Sequence, residues 1–340
     1  MENTNTQFDV LAYMRSLTPT EKRDNTPLTL REWNERWLTI YCKRIKQTTK
    51  EAYICYVNRH INRVLGDLLL GDIQREDIQL FVNSLALGVG LKKPLSSKTI
   101  KNVHGILHKS LDVAVENGYL SANPAKKNDL PKITKPNIHA LSIEEIKKFL
   151  MAVKGSDKEK LFKLTLFTGL RAGEVIGLTW DCINFEKGYI SVYRQLVRVK
   201  GKNGKYFYKF SSLKSGRARR LYPATYVLNM LYKMKDDKKS EFVFCNSENT
   251  HFTHSSLHCS LKKIADKMGI TDFRFHDLRH TYATLSIRSD IDTMTLKENM
   301  GHFSAAFTLD VYGHCDKRMK IAGSEKMDKF ISDNFNHYIW

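Results

Sequence analysis

His276-Asp277-Leu278-Arg279-His280 is followed further along by Met300-Gly301-His302 and then by Val311-Tyr312-Gly313-His314; the reading of these stretches decides what kind of chain this is. Together they offer an arginine, several imidazoles and a tyrosine. A planar guanidinium holds a pair of phosphate oxygens. Imidazole moves protons near neutral pH. A phenol, once activated, is a covalent nucleophile. The mixture suits chemistry on a phosphodiester, and no residue in it requires a metal.

Composition points the same way. The chain has 340 residues and a formal net charge of +19, which is a length for two domains and an excess that calls for a polyanionic partner. The charge is spread along the chain: residues 31–140 carry a net +8 and residues 141–340 a net +12. Both halves can therefore contact one long anion such as DNA or RNA. The six cysteines (42, 55, 182, 245, 259 and 315) form no CxxC pair and no zinc-type spacing, and they read as reduced thiols of a cytoplasmic protein. The N-terminus lacks the basic-then-apolar order of a signal peptide, and no apolar run is long enough to cross a membrane as a helix.

Working outward, residues 1–27 read as a polar tail. Residues 28–123 carry four helical patterns. Thr29 with Glu32, and Thr48 with Glu51, have the spacing of capping boxes, Gly66 is the expected stop of the second helix, a third helix starts near Arg75, and a fourth runs from Ser97 to Asn117-Gly118. Residues 124–140, with three prolines and several lysines, read as an extended basic linker. Residues 141–340 open on another capping box, Ser142 with Glu145, and continue with helices over 143–153 and 158–168 and a short helix after Thr168-Gly169-Leu170-Arg171. Strands at 189–199 and 205–210 flank the turn signal Asn203-Gly204, and a third strand is expected through Arg219-Arg220-Leu221-Tyr222. A helix over 255–268 ends at Gly269. The predicted class is mostly α with one small antiparallel sheet, in two domains.

Read in order, Arg171, Lys214, His276 with Arg279, His302 and Tyr312 resemble the tyrosine recombinase family in its phage and mobile-element integrase form. Thr168-Gly169-Leu170-Arg171 with Glu174 matches the family's first box. His276-Asp277-Leu278-Arg279-His280-Thr281 matches the second, Gly301-His302 the next, and Leu309-Asp310-Val311-Tyr312 the nucleophile. The resemblance covers nearly the whole chain from about residue 28. It implies a helical, SAM-like core-binding domain ahead of a catalytic domain, and site-specific cutting and rejoining of double-stranded DNA at core recombination sites to integrate or excise a mobile element. It further implies a 3′-phosphotyrosine intermediate without metal, ATP or other cofactor, and a homotetramer on synapsed DNA, with room for an accessory DNA-bending or directionality factor. By that resemblance Tyr312 is the nucleophile, Arg171 and Arg279 clamp the phosphate, His276 accepts a proton, His302 supports the phosphate or the nucleophile, and Lys214 is the general acid. Lys214 has Leu213 and Ser215 beside it where relatives commonly have threonine. Glu174 is expected to orient Arg171. The resemblance also places the protein in a bacterial or phage-infected cytoplasm. It leads to the expectation that some 27 residues ahead of the first helix are too few for an arm-binding domain, and that the segment after Tyr312 docks on a neighbouring subunit.

Other readings stand beside this one. A DNA-binding regulator of the same fold with a silent site is the first alternative, and a type IB topoisomerase is the second. His280 is expected to cap or pack, and His314 to be peripheral. His251, His254 and His258 beside Cys259 have a spacing that could place ligands on one helix face, but no fourth partner is evident. The aromatic residues Tyr193, Tyr206, Phe207, Tyr208 and Phe210 are expected to pack in the core or on a sheet face, with stacking on unpaired bases as the other option.

Overall fold

The computed structural model describes residues 27–133, 139–201, 203–213 and 216–301. They form two compact units. The first is drawn from residues 1–136 with 198–207, and the second from residues 137–197 with 208–340. The fold is helical with small antiparallel sheets, and no helix among the described residues is long and apolar enough to cross a membrane.

The first unit is built on α1 (Leu30–Ile40), α2 (Gln47–Tyr56), α3 (Arg75–Leu87) and α4 (Ser97–Glu116). After Tyr56, α2 runs on through a π-helical turn, Val57–Ile61, and a last turn, Asn62–Val64. Trp33, Trp37, Ile61, Ile78, Phe81, Ile100, Leu107 and Leu111 fill its core. A buried polar chain crosses that core. The Trp33 indole donates to the Ser110 carbonyl (3.0 Å), the Ser110 hydroxyl to Asn34 Oδ1 (2.8 Å), and the Asn34 amide to Asn62 Oδ1 (2.8 Å).

The Thr29–Glu32 capping box forms as expected, but the Thr48–Glu51 box does not. The helix begins two residues earlier than that box requires, with Lys46 as N-cap and no side-chain cap bond. Glu51 is engaged elsewhere in this unit, accepting from the Lys200 backbone N–H (2.9 Å). Gly66 follows the helix for a reason of space: a Cβ there would come within 2.3 Å of the Asn62 carbonyl oxygen. The stretch read as a linker begins as part of this unit. The Asn123 side chain binds the His108 carbonyl and Asp112, Ala125 is buried, Arg75 donates to the Lys127 carbonyl, and Gln79 exchanges hydrogen bonds with Asp129.

The second unit comprises α5 (Ile143–Val153), α6 (Glu159–Thr168), α7 (Ala172–Ile176), β1 (Ile183–Asn184), β2 (Tyr189–Val192), β3 (Arg194–Lys200), β4 (Tyr206–Ser212), β5 (Arg219–Leu221), α8 (Thr225–Lys235), α9 (His254–Met268), α10 (Phe275–Arg288) and α11 (Thr293–Met300). The tips of β3 and β4 belong to the first unit. Phe149, Phe162, Leu164, Val175, Ile190, Leu231 and Leu278 lie in the core of the second.

One sheet was expected, and the described residues form two: β1-β2-β5, and the β3–β4 hairpin. The expected strand over 189–199 is divided at Tyr193. Ile190 and Val192 point inward and pair with Leu221 and Arg219 of β5. Tyr193 and Arg194 are instead tied to the preceding turn. The Tyr193 hydroxyl donates to Asp181 (3.0 Å), and Arg194 donates to the Thr179 hydroxyl (2.8 Å) and to Asp181. Those anchors swing the chain out of the first sheet. Gly173 and Gly177 let α7 lie against β3, since a Cβ on either would meet Leu196 backbone atoms at 2.8–2.9 Å.

The hairpin aromatics depart from the expected packing. Only Tyr208 joins the core; Tyr193, Tyr206, Phe207 and Phe210 are exposed, with Arg198 over Tyr206 (4.0 Å) and Arg194 over Phe210 (4.3 Å).

Candidate active site

Thr168 ends α6, Gly169 takes a left-handed conformation (φ 64°), and the chain turns at once into α7 with Arg171 as its N-cap. Glu174 lies at the third position of that short helix, and its carboxylate accepts from the Arg171 backbone N–H (2.9 Å) and side chain (3.0 Å). This is capping-box geometry with a buried acid. Arg279 projects from the first turns of α10, which starts at a cap formed by Asp277 with the Arg274 backbone N–H (2.7 Å).

The two box arginines meet at the end of α11. Arg171 donates to the Gly301 carbonyl (3.1 Å), and Arg279 donates to the Met300 carbonyl and to the Gly169 carbonyl (2.6 Å). A helix C-terminus presents unpaired carbonyls and a partial negative charge, which suits guanidinium groups. Arg279 is only 1% exposed, so its position is set by packing as well as by hydrogen bonds. The sequence continues from Gly301 directly into His302.

A third arginine completes the cluster, one that the sequence places only on the expected strand through residues 219–222. Arg219 opens β5 and turns inward, donating to both Glu174 oxygens (3.1 and 2.8 Å) and to the Asn299 carbonyl (2.8 Å). The signal available in sequence was the arginine-rich run 217–220, which does not say which member faces the core. Glu174 is thus shared by Arg171 and Arg219. Burial alone would raise its pKa, but the hydrogen bonds and charge of Arg219, with help from Arg171, outweigh that and hold it at about 2. Three guanidiniums against one carboxylate leave the cluster positive, as a phosphate site requires.

His276 sits one turn from Arg279 on the exposed side of the helix start, with its ring edge-on to His280 at 4.7 Å. Desolvation by the surrounding side chains, then the charges of His280, Arg279 and Arg171, push its pKa down to about 4. It is therefore neutral at physiological pH and able to accept a proton. His280 is buried, and burial also lowers its pKa. Thr281 accepts from the Leu141 backbone N–H (3.0 Å), which ties α10 to the start of the unit.

Of the six residues singled out from sequence, Arg171, His276 and Arg279 are brought together here. Lys214, His302 and Tyr312 lie outside the described residues, as do His314 and the C-terminal segment. Among the described residues no group of His, Cys, Asp or Glu is arranged to hold a metal. His251 and His254 instead pack against the Tyr208 ring, at 4.6 and 5.8 Å between ring centres.

Residues 139–319 match the profile of the phage integrase family, and residues 29–86 match that of the phage integrase N-terminal SAM-like domain. A tyrosine recombinase XerC-like protein of Caldanaerobacter subterraneus is 30% identical, over 81% of this chain and 76% of its own length. The solved Tn1549 transposon integrase in complex with transposon right end DNA shares the fold at a TM-score of 0.76 and 20% identity, covering 88% of this chain and all of that one. A lambda integrase tetramer bound to a Holliday junction aligns at a TM-score of 0.64 and 20% identity, over 92% and 84% of the two chains.

Proposed function

This chain belongs to the phage integrase family of tyrosine recombinases, and from that premise we propose that it is a site-specific DNA recombinase acting through a 3′-phosphotyrosine intermediate. The Tyr312 oxygen attacks the scissile phosphorus and the bond to the 5′-oxygen breaks. The phenol proton passes to neutral His276, and Lys214 supplies a proton to the departing 5′-hydroxyl. Arg171 and Arg279 hold the non-bridging oxygens as charge gathers on them, and loss of one such fixed donor costs about 3 kcal/mol of barrier. His302 adds a hydrogen bond to the phosphate or the nucleophile. The bond energy stays in the phosphotyrosine, so rejoining needs no nucleotide.

The observation that carries this reading is the convergence of Arg171 and Arg279 on the adjacent carbonyls of residues 301 and 300. The neutral state of His276 supports it further. The proposed domains are core-binding over 28–123 and catalytic over 141–340, acting as a tetramer on two duplexes bearing core sites.

The test is a nicked duplex carrying the element's own core site, incubated with protein in EDTA. A covalent protein–DNA adduct is expected from wild type and none from Tyr312→Phe, with binding retained. A wild-type protein that binds but forms no adduct is the silent regulator instead. An adduct from Tyr312→Phe, or one abolished by chelation, overturns the mechanism.

A further inference from the structure

Three successive backbone carbonyls, those of Asn299, Met300 and Gly301, are each held by a different arginine: Arg219, Arg279 and Arg171. Two of those arginines, Arg219 and Arg171, also share the buried Glu174 carboxylate. Arg219 and Arg171 therefore each grip both the buried acid and the helix end leading into His302, and of the two only Arg219 binds both oxygens of that acid through its side chain. The fit is close. Gly301 has φ +59°, and a Cβ there would stand 3.0 Å from the Arg219 guanidinium.

We propose that Arg219 is a positioning residue for strand cleavage: through Glu174 and Asn299 it locks Arg171 to the end of α11, so that the phosphate clamp keeps one geometry against that helix end. This rests on the reading of the chain as a Tyr312 recombinase. Arg219 itself need touch no DNA: its side chain is only 7% exposed, and three of its five N–H groups are committed to protein acceptors in a spacing that a lysine's single nitrogen cannot span. Misplacement of a reacting group by about 1 Å costs about a hundredfold in rate, so an arginine that fixes two parts of the site at once matters out of proportion to its burial.

The experiment uses the full chain with Arg219→Lys as the main variant, since it keeps the charge, and Arg219→Ala with Glu174→Gln as a double variant that avoids stranding a buried carboxylate. Single-turnover adduct formation is measured at saturating nicked core-site DNA, together with core-site affinity and amide hydrogen exchange across 293–301. Arg219→Lys is expected to leave affinity unchanged and to slow cleavage about a hundredfold. Exchange at the α11 end should rise about tenfold, the scale of one lost charge-assisted hydrogen bond. The double variant should fold and stay slow. Cleavage by Arg219→Lys at the wild-type rate overturns the proposal. So does a purely structural pattern, in which melting temperature and affinity fall while the bound complex cleaves normally. If wild type itself forms no adduct, the reading of the reaction fails, and the exchange measurement alone decides whether Arg219 holds the helix end.

Discussion

Gly169→Ala probes the joint between α6 and α7 on which the arginine geometry depends. Gly169 is left-handed at φ +64°, and an added Cβ would stand 2.4 Å from Cδ1 of Tyr282, a ring that is itself buried. Left-handed backbone costs an L-residue about 1–2 kcal/mol, and forcing a methyl into a filled site adds about 1–3 kcal/mol. The expected loss is about 2–5 kcal/mol. Gly269→Ala is the matched control: it caps α9 at φ +70° with nothing within 4 Å, so only the backbone cost of about 1–2 kcal/mol applies. Urea denaturation of both variants at one pH separates the steric contribution from the conformational one. Because the Gly169 carbonyl also accepts from Arg279, Gly169→Ala should slow adduct formation about a hundredfold, while Gly269→Ala should leave it unchanged. Equal destabilisation by the two substitutions, with both cleaving at the wild-type rate, would refute the reasoning.

Acid should act on two groups in separable windows. The Glu174 pKa is depressed from 4.5 to about 2, so the stability it contributes, about 3 kcal/mol by that difference, is present above pH 4.5 and lost as pH falls toward 2. Denaturation of Glu174→Gln should show no such loss in that range, and an unchanged acid slope would count against the pairing with Arg219. His276 is depressed from 6.5 to about 4, so the unfolded chain binds the extra proton first and stability declines as pH drops from 6.5 to 4. Its imidazole resonances in the DNA-free protein should titrate near pH 4, and a midpoint near 6.5 would remove the basis for a neutral proton acceptor.

What could be read from sequence was mostly what is settled locally. The boxes at Thr29–Glu32 and Ser142–Glu145 form because each partner is three residues away on the same first turn. The helix stops at Gly169 and Gly269 follow from a backbone conformation that glycine adopts without strain. What escaped depends on distant partners. Glu51 is drawn to Lys200, and the break at Tyr193 depends on Asp181 and Thr179. Arg219 turns inward for a carboxylate 45 residues earlier in the chain. The site shows the same division. Arg171, His276 and Arg279 were found through family motifs, but no motif says that the two arginines grip neighbouring carbonyls of one helix end, or that His276 is kept uncharged.

The polar chain through the first unit bears on how that unit assembles. Its links join residues 77, 76 and 28 positions apart, on three different helical segments. With any one segment undocked, an indole, an amide or a hydroxyl is left buried without a partner, and a half-satisfied buried network is worse than none. Partly docked arrangements of these helices are thereby disfavoured, and so are slipped ones, since sliding one segment by a residue breaks the chain of donors. The tryptophan and the two asparagines make assembly of the unit closer to all-or-none than its greasy contacts would on their own.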